Sequence, residues 1–387
     1  MASINDAAFF YCKFESVVIP YGVTSIGDMA FSCCSMTSIT IADGVTSIGD
    51  NAFSGISLKS IEIPDSVTSI GSSAFKFCDF LTSINIPDGV TSIGQSAFEH
   101  CRSLTSITIP DSVTSIGSNA FCNCYSLTSV TIGNGVTSIG DSAFSECNSL
   151  EFNVYDNAKY LGNETNPYVA LIKVISDTTS CMINENTRII YESAFRSCSS
   201  LTSVSIPDSV TSIGSYAFYG CRELLFVTIP NSVSSIGERT FSYCSRLASA
   251  TIGNSVTSIE SWAFNDCSSL ASITIPGSVT SIGDRAFDNC NSLTDVYYYG
   301  TEKEWDNISL EYVNGALKNA AIHFISILKG DADGDGVVGV KDILDIKKFL
   351  SLISDLDGQS FISADVNCDG YVDMKDVLAT MRMITGN

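Results

Sequence analysis

One short phrase recurs along most of this chain and limits what it can fold into. Val-Thr-Ser-Ile-Gly occurs eight times, and two further copies carry Ser for Thr or Glu for Gly. The copies begin at positions 23, 45, 67, 90, 113, 136, 210, 233, 256 and 279, so the regular period is 22 and then 23 residues. A unit of that length cannot bury its apolar residues alone, but stacked units can. The repeat therefore predicts a solenoid of stacked coils.

One unit, residues 104–124, shows how each coil is built. Ile107 and Ile109 alternate with polar residues, which predicts a short strand with both side chains inward. Pro110 has no N–H to donate and ends that strand. A second extended or turn segment follows, with Val113 and Ile116 pointing inward. Gly117 suits a bend, and Ala120 and Phe121 fill the corner before the next strand. The pattern predicts a parallel sheet along one face, with coils about 4.8 Å apart.

Composition excludes several classes of protein. Apolar residues make up 45% of the 387 residues and the mean hydropathy is +0.23, which excludes a disordered chain. The net charge of −22 argues against a nucleic-acid partner, because phosphate binding requires clustered Lys and Arg. The sequence contains no apolar run long enough to predict a membrane span. Only 16% of the residues are charged, so Ser and Thr must cover much of the surface.

Most of the 15 cysteines also follow the repeat. Eleven lie three residues after a repeat phenylalanine, at Cys12, Cys34, Cys78, Cys101, Cys124, Cys147, Cys198, Cys221, Cys244, Cys267 and Cys290. Ile56 takes this position in one coil, which favours a buried, reduced thiol that acts as a small apolar group. A zinc site would need closely paired cysteines. In a disulfide ladder, Cβ atoms one coil apart would lie about 4.8 Å from each other, more than the ~3.8 Å that a disulfide needs.

The unit Leu-x-x-Ile-x-Ile-Pro-x-x-Val-x-x-Ile-Gly-x-x-Ala-Phe-x-x-Cys resembles the leucine-rich repeats of the BspA-like (treponemal-type) surface proteins. This resemblance implies a leucine-rich-repeat solenoid over residues 1–326, with irregular coils at 151–195 and a closing coil at 296–326. Members of that family are mostly extracellular binding or adhesion proteins of bacteria, and their ligands vary.

Two acidic loops follow the repeats, at residues 331–342 and 365–376. Each has oxygen-bearing side chains at positions 1, 3, 5 and 12, glycine at position 6 and a backbone carbonyl at position 7, which is the pattern of a calcium loop. Two acidic surface turns are the alternative. The predicted ligands of two Ca²⁺ ions are Asp331, Asp333, Asp335, Val337, Asp342, Asp365, Asn367, Asp369, Tyr371, Asp373 and Asp376.

One amphipathic helix is predicted after each loop. A duplicated loop–helix with Asp at the last ligand position resembles a type I dockerin, which implies a small all-α calcium-binding module over residues 327–387. The resemblance implies that this module binds a cohesin of a scaffoldin, although the Ser-Thr recognition pair of that family is missing here. The implied cohesin contacts are Val340, Lys341, Lys347, Lys348, Met374, Lys375, Met381 and Arg382.

Calcium is expected to order this module. Residues 330–387 contain 11 Asp, no Glu and 5 Lys or Arg, so the carboxylates repel one another without the ion. Ca²⁺ neutralises them and couples binding to folding. EGTA is therefore expected to abolish cohesin binding and to unfold the module while the solenoid stays folded.

The sequence predicts no catalytic site, and the chain is expected not to be an enzyme. Its two histidines are His100, in a variable surface position, and His323, in the closing strand. Neither lies in a hydrolase motif, and a catalytic triad needs a buried, oriented histidine. The carboxylates of Asp65, Asp88 and Asp111 stand in repeat columns on a solvated edge, whereas a glycosidase needs a pair across a sugar cleft.

The sheet face is the expected binding surface of the solenoid. Its outward positions are mostly hydroxyl groups without an aromatic stripe: Thr40, Glu62, Asn85, Thr108, Thr131, Ser205, Thr228, Thr251 and Thr274. Tyr155, Tyr160 and Tyr168 lie in an irregular stretch at 151–186. That stretch is either a ligand-specific element or a degenerate coil whose tyrosines pack locally, and the second interpretation is favoured.

Together the two resemblances imply a non-catalytic cellulosomal subunit, secreted to an extracellular or cell-surface complex. The dockerin would attach the chain to a scaffoldin, and the solenoid would bind a protein, cell-surface or carbohydrate partner. A purely structural spacer and a polysaccharide-degrading accessory enzyme are the alternatives. The chain begins within a repeat and lacks a basic n-region and an apolar h-region, so we expect its leader peptide to be missing.

Overall fold

A computed structural model describes residues 2–175 and 178–325, which form a parallel-sheet solenoid of stacked coils. The predicted fold of the repeat region is confirmed. The predicted calcium-binding module lies outside the described residues.

The first strand of each coil pairs in parallel with a strand of a neighbouring coil. Ser106 is in register with Ser129, and Ile109 with Ile132. The side chains of both isoleucines are buried, as their alternation with polar residues predicts. The strands of this first ladder are Ser16–Ile19, Ser38–Ile41, Ser60–Ile61, Ser83–Ile84, Ser106–Ile109, Ser129–Ile132, Ser180–Met182, Ser203–Ser205, Phe226–Thr228, Ser249–Thr251, Ser272–Pro276, Asp295–Tyr299 and Ala321–Phe324.

A second parallel ladder runs along another face and is built mainly from the Ser-Ile pair of the repeated phrase. Ser115 pairs with Ser92 of one neighbouring coil and with Ser138 of the other. The second extended or turn segment of each coil is therefore a β-strand of a sheet. Its strands are Ala2–Ile4, Val23–Ile26, Ser47–Ile48, Ser69–Ile70, Ser92–Ile93, Ser115–Ile116, Ser138–Ile139, Ile189–Ile190, Ser212–Ile213, Ser235–Ile236, Ser258–Ile259, Ser281–Ile282 and Ser309–Leu310.

The third face of each coil, residues 72–78 and their equivalents, runs from the second strand to the repeat cysteine. The N–H groups of Ser73 and Phe77 donate to the carbonyls of Gln95 and Glu99 in the next coil, at 2.7 and 2.9 Å. Ser73 and Phe77 have φ values of 55° and 59°, and the equivalent two residues of the other regular coils are also left-handed. This conformation is uncommon for residues other than glycine. The hydrogen bonds between coils hold the backbone of the third face in it.

Phenylalanine rings stack through the centre of the solenoid. Neighbouring rings in each stack lie 4.6–5.6 Å apart between centroids. Tyr191 lies where the first stack ends, with its ring centroid 6.4 Å from that of Phe144 and its hydroxyl accepting the Phe144 N–H at 3.3 Å. The two stacks consist of Phe9, Phe31, Phe53, Phe75, Phe98, Phe121 and Phe144, and of Phe195, Phe218, Phe241, Phe264 and Phe287.

The cysteines in the described residues are free, and ten of the eleven repeat cysteines are buried, as predicted. The Cys124 thiol donates to the carbonyl of Phe98 at 3.2 Å, and eight other repeat cysteines make the equivalent bond. Burial raises the pKa of Cys147 and of Cys244 to about 12. These thiols therefore stay protonated and act as small core groups.

The irregular stretch interrupts the solenoid with antiparallel strands. Asn153–Tyr155 pairs with Ala158–Leu161, which pairs in turn with Ala170–Val174. The last of these runs parallel to Ile189–Ile190 and returns the chain to the second ladder.

The closing coil contains two short helices, Glu302–Asp306 and Gly315–Asn319. Thr301 caps the first helix, since its side chain accepts the Glu304 N–H and the Glu304 side chain accepts the Thr301 N–H. Leu317 of the second helix is buried against the core. The first helix thus precedes the second strand of this coil, Ser309–Leu310, and the second helix lies where the preceding coils have the third face.

Candidate binding surfaces

The calcium ligands and cohesin contacts that the sequence predicts all lie within residues 331–382, outside the described residues. They therefore remain predictions. Within residues 2–175 and 178–325, no group of three or more His, Cys, Asp or Glu side chains is placed to hold a metal ion.

The sheet face carries hydroxyl groups, several of which bond back to the solenoid. Thr108, at the centre of the first strand, is exposed. Beside it, the hydroxyls of Thr105 and Thr128 donate to the carbonyls of Thr82 and Thr105 at 3.3 and 3.0 Å. Some of the Ser and Thr hydroxyl groups on the surface are therefore hydrogen-bonded to a neighbouring coil and help to hold the coils together.

A groove lies where the irregular stretch meets the sheet face. Its volume is about 520 Å³, and its polar lining includes Asn85, Thr108, Asp111 and Asn163. The Asn163 side chain donates to the carbonyl of Ile132 at 2.7 Å, which attaches the irregular stretch to the coil beneath it.

The tyrosines of the irregular stretch pack locally, in agreement with the favoured interpretation. Tyr160 is fully buried, and its ring centroid lies 5.4 Å from that of Tyr168, which is 5.4 Å from that of Tyr155. The Tyr160 hydroxyl accepts the N–H of Asn184 at 3.4 Å, and burial raises its pKa. These rings form part of the local core.

Each histidine stacks on an aromatic ring of the preceding coil. The His100 ring lies 4.7 Å from that of Phe77, and the His323 ring lies 4.9 Å from that of Tyr297. His323 Nε2 is 2.7 Å from Asp295 Oδ1. Hydrogen bonds from Thr294 and from His323 hold the pKa of the Asp295 carboxyl below its usual value. The side chains of His323 and Asp295 are both well exposed, so their contact lies on the protein surface.

A row of alternating guanidinium groups and aromatic rings crosses the third face of the C-terminal coils. We call it the arginine–aromatic row: Arg196, Tyr216, Arg239, Trp262 and Arg285. Arg196 Cζ lies 5.6 Å from the centroid of the Tyr216 ring, and Arg239 Cζ lies 5.5 Å from the same centroid. Arg239 Cζ and Arg285 Cζ lie 5.0 and 4.7 Å from the centroid of the Trp262 ring. Cations at such distances from a ring are attracted by its quadrupole.

The coil backbone sets the spacing of this row. Tyr216, Arg239, Trp262 and Arg285 take the same left-handed position in four successive coils, with φ between 52° and 63°. The N–H of Tyr216 donates to the carbonyl of Glu238 in the next coil at 2.9 Å, and the other three make equivalent bonds. The side chains therefore project in register from one coil to the next.

The sequence analysis missed the arginine–aromatic row, although a signal was present. Four of its members recur every 23 residues, two positions after the last residue of the repeated phrase. An alignment of the coils at that column would have shown it. The same column in the N-terminal coils holds Met29, Asn51, Ser73, Ser96, Asn119 and Ser142.

Further contacts fix the row. Arg239 Nη1 donates to the Tyr216 hydroxyl at 2.6 Å. Glu238 and Asp284 carboxylate oxygens lie 3.8 Å from the Nε atoms of Arg239 and Arg285, and 35% and 42% of these arginine side chains are exposed. Ion pairs of this exposure contribute about 0–1 kcal/mol. The guanidinium groups are thus held by contacts with the rings, by the Tyr216 hydroxyl and by weak ion pairs together.

The chain belongs to the BspA type leucine rich repeat family. The family model for six copies of the repeat matches residues 2–124, 46–171 and 188–313. A second model, the dockerin type I domain, matches residues 329–385. Leucine-rich repeats and dockerins are non-catalytic modules, type I dockerins bind calcium, and a dockerin implies a cohesin partner.

Several solved bacterial proteins are similar to this chain. A leucine rich cell surface protein of Faecalibacterium prausnitzii is 35% identical, covering 77% of this chain and 91% of its own, with a TM-score of 0.40. A leucine-rich repeat protein of Bacteroides ovatus is 28% identical, covering 84% of this chain and 87% of its own, with a TM-score of 0.38. A leucine-rich repeat protein of Eubacterium ventriosum is 24% identical, covering 76% and 69%, with a TM-score of 0.35.

No curated protein sequence matches the chain significantly. Among the helices in the described part of the chain, none is long and apolar enough to cross a membrane.

Proposed function

We propose that this chain is a non-catalytic subunit of a cellulosome-type complex that acts outside the cell. The dockerin, residues 327–387, attaches the chain to a scaffoldin by binding one of its cohesins in a calcium-dependent way. The solenoid, residues 1–326, offers a binding or adhesion surface to a protein, cell-surface or carbohydrate partner. The observation that carries this proposal is the dockerin match at residues 329–385.

The two twelve-residue loops would each hold one Ca²⁺ ion. Ca²⁺ takes six to eight oxygen ligands, and each loop supplies carboxylates or an amide at positions 1, 3, 5 and 12 with a carbonyl at position 7. The first loop has Gly339 at position 9, where a water would complete the coordination, and the second loop has Asp373 there. Cohesin contacts would come from the end of each loop and from the following helix, in the first half at Val340, Lys341, Lys347 and Lys348, and in the second at Met374, Lys375, Met381 and Arg382.

Calorimetric titration of the full chain with type I cohesins tests the attachment. Binding in calcium and its loss in excess EGTA are expected, because ion removal leaves the loop carboxylates unneutralised. The double variant Asp331→Ala/Asp365→Ala should lose binding even in calcium. Asp355→Ala, in the same module but outside both loops, is the matched control and should bind normally. Equal cohesin affinity in calcium and in EGTA would refute the proposal.

The two similar halves of the dockerin predict that either half can contact the cohesin. Replacing Lys347 and Lys348 by Ala should then weaken binding only slightly, as should replacing Met381 and Arg382 by Ala. The combined variant should bind far more weakly than either. If one pair alone abolishes binding, the dockerin uses a single orientation.

A structural spacer is the second candidate function. It is favoured by the hydroxyls of the sheet face that bond back to the preceding coil, as those of Thr105 and Thr128 do. Probing the full chain, with its dockerin occupied by cohesin, on glycan and protein arrays separates the two candidates. A saturable ligand supports a binding subunit, whereas the absence of any ligand supports the spacer.

A further inference from the structure

We propose that the arginine–aromatic row docks an extended acidic peptide segment of a partner protein, in the polyproline II conformation. The proposal rests on the proposed role of the solenoid as a binding surface, and it names the surface and the class of ligand.

The spacing of the guanidinium groups matches such a peptide. Arg239 and Arg285 take the same position two coils apart, and coils stack at the spacing of parallel strands, so their guanidinium groups are roughly 9.6 Å apart. The contacts on the two sides of Trp262, at 5.0 and 4.7 Å, agree with this value. Arg196 lies two coils before Arg239 but three positions later within its coil, and its Cζ is also 5.2 Å from the centroid of the Tyr219 ring, so it stands at the end of the row outside this regular spacing. A polyproline II helix repeats every three residues, or roughly every 9.3 Å. In a β-strand, side chains on one side repeat at roughly 6.8 Å, which does not match.

The arrangement of the rings favours a peptide over a sugar ring. Trp262 lies between Arg239 and Arg285, and Tyr216 lies between Arg196 and Arg239, so guanidinium groups occupy the places where a sugar ring would stack. A ligand can therefore contact the edges of the rings and the half-exposed guanidinium groups, but not the faces of the rings. Tyr, Trp and Arg are enriched at the energetic centres of protein interfaces, and aromatic surfaces commonly bind polyproline II segments.

Charge complementarity favours an acidic peptide. A guanidinium group binds a carboxylate through two parallel N–H···O bonds, and its stacking on a ring orders it before the ligand arrives. Among the described residues, Arg196 has no ion-pair partner, while Arg239 and Arg285 have carboxylates only at 3.8 Å from Nε. The chain carries a net charge of −22, so three arginines on one face of neighbouring coils contrast with its acidic composition.

Fluorescence anisotropy with a labelled peptide of repeated Glu-Pro-Pro tests the proposal. The full chain is used in calcium at physiological ionic strength. We expect saturable binding that weakens at high salt, because exposed charge pairs are screened. A Gln-Pro-Pro peptide of equal length, and a Glu-Pro peptide with a two-residue period, should each bind about tenfold more weakly.

Protein variants locate the site. Arg239→Gln/Arg285→Gln should weaken Glu-Pro-Pro binding by about tenfold or more. Arg246→Gln is the matched control, since Arg246 Nη1 pairs with Glu223 outside the row at 2.5 Å, and it should bind as the parent does. Cohesin binding by the same samples confirms that the variants are folded at the dockerin, and circular dichroism confirms the solenoid. The comparison of the Glu and Gln peptides uses the parent chain, so it still tests the proposal if the double variant does not fold.

Several results would overturn the proposal. Equal binding of the Glu and Gln peptides would remove the role of the carboxylates, and equal loss in Arg246→Gln would remove the role of the row. An oligogalacturonate that binds more tightly than the peptide would assign the row to an acidic polysaccharide instead. Cohesin binding is independent of the row, so each of these failures leaves the proposed attachment through the dockerin intact.

Discussion

The phenylalanine stack makes a quantitative prediction about how the solenoid is held together. The Phe121 side chain is fully buried, and its ring centroid lies 5.3 Å from that of Phe98 and 5.5 Å from that of Phe144. Phe121→Ala removes this burial and leaves a cavity that the closely stacked coils cannot fill by collapse. The expected loss is about 4 kcal/mol of unfolding free energy, within the range for buried phenylalanines. Urea unfolding followed by circular dichroism measures it in the full chain with calcium present.

Phe9→Ala is the matched control, because Phe9 has the same position in its own coil but is 38% exposed. It stacks on Phe31 at 5.2 Å, and water can enter the space that its truncation leaves. The expected loss is about 2 kcal/mol. Hydrogen exchange should show faster opening of the coils next to Phe121 in the first variant, since each coil contacts only its neighbours. Equal losses for the two variants, or a loss below about 2 kcal/mol for Phe121→Ala, would refute a continuous stack as the main source of stability.

Three further predictions concern single side chains. In the folded chain iodoacetamide should label the exposed Cys33 readily and leave the buried Cys147 unlabelled, as read by peptide mass spectrometry; fast labelling of Cys147 would contradict its burial. The raised pKa of Cys244, about 12, adds stability that is fully present below the unfolded-state pKa near pH 9 and is lost as pH rises through about 12. Stability should therefore fall more steeply above pH 9 in the parent than in Cys244→Val, and parallel pH profiles in urea unfolding would count against this. Tyr191→Phe should cost about 1–2 kcal/mol in urea unfolding, because the buried Phe144 N–H loses its acceptor. An unchanged midpoint would mean that this hydrogen bond contributes nothing.

The sequence predicted those parts of the fold that depend on neighbours within one coil. The alternation at Ile107 and Ile109, the break at Pro110 and the position of the repeat cysteines each report a local preference that every coil repeats. The burial of these isoleucines and cysteines confirms the pattern. The two predicted calcium loops are local in the same sense, since a twelve-residue spacing defines all their predicted ligands.

The parts that the sequence did not predict depend on contacts between coils. The Ser-Ile pair is too short to show alternation, and it becomes a strand only because an identical pair lies on each side of it. The antiparallel strands of the irregular stretch depend on pairing between Ala158–Leu161 and Ala170–Val174. The repeat pattern of the sequence does not predict this pairing.

The sequence by itself determined the coil and the column of buried thiols, and it predicts the spacing of two calcium loops. The tertiary structure decided which residues of different coils meet. Gly117, which the sequence assigned to a bend, lies where a Cβ would come within 2.6 Å of the Gln95 nitrogen of the preceding coil. Arg239 and Trp262 are 23 residues apart in the chain and 5.0 Å apart in space. The physical reason is that a solenoid turns a sequence period into a stacking distance, so a surface such as the arginine–aromatic row exists only once the coils are in register.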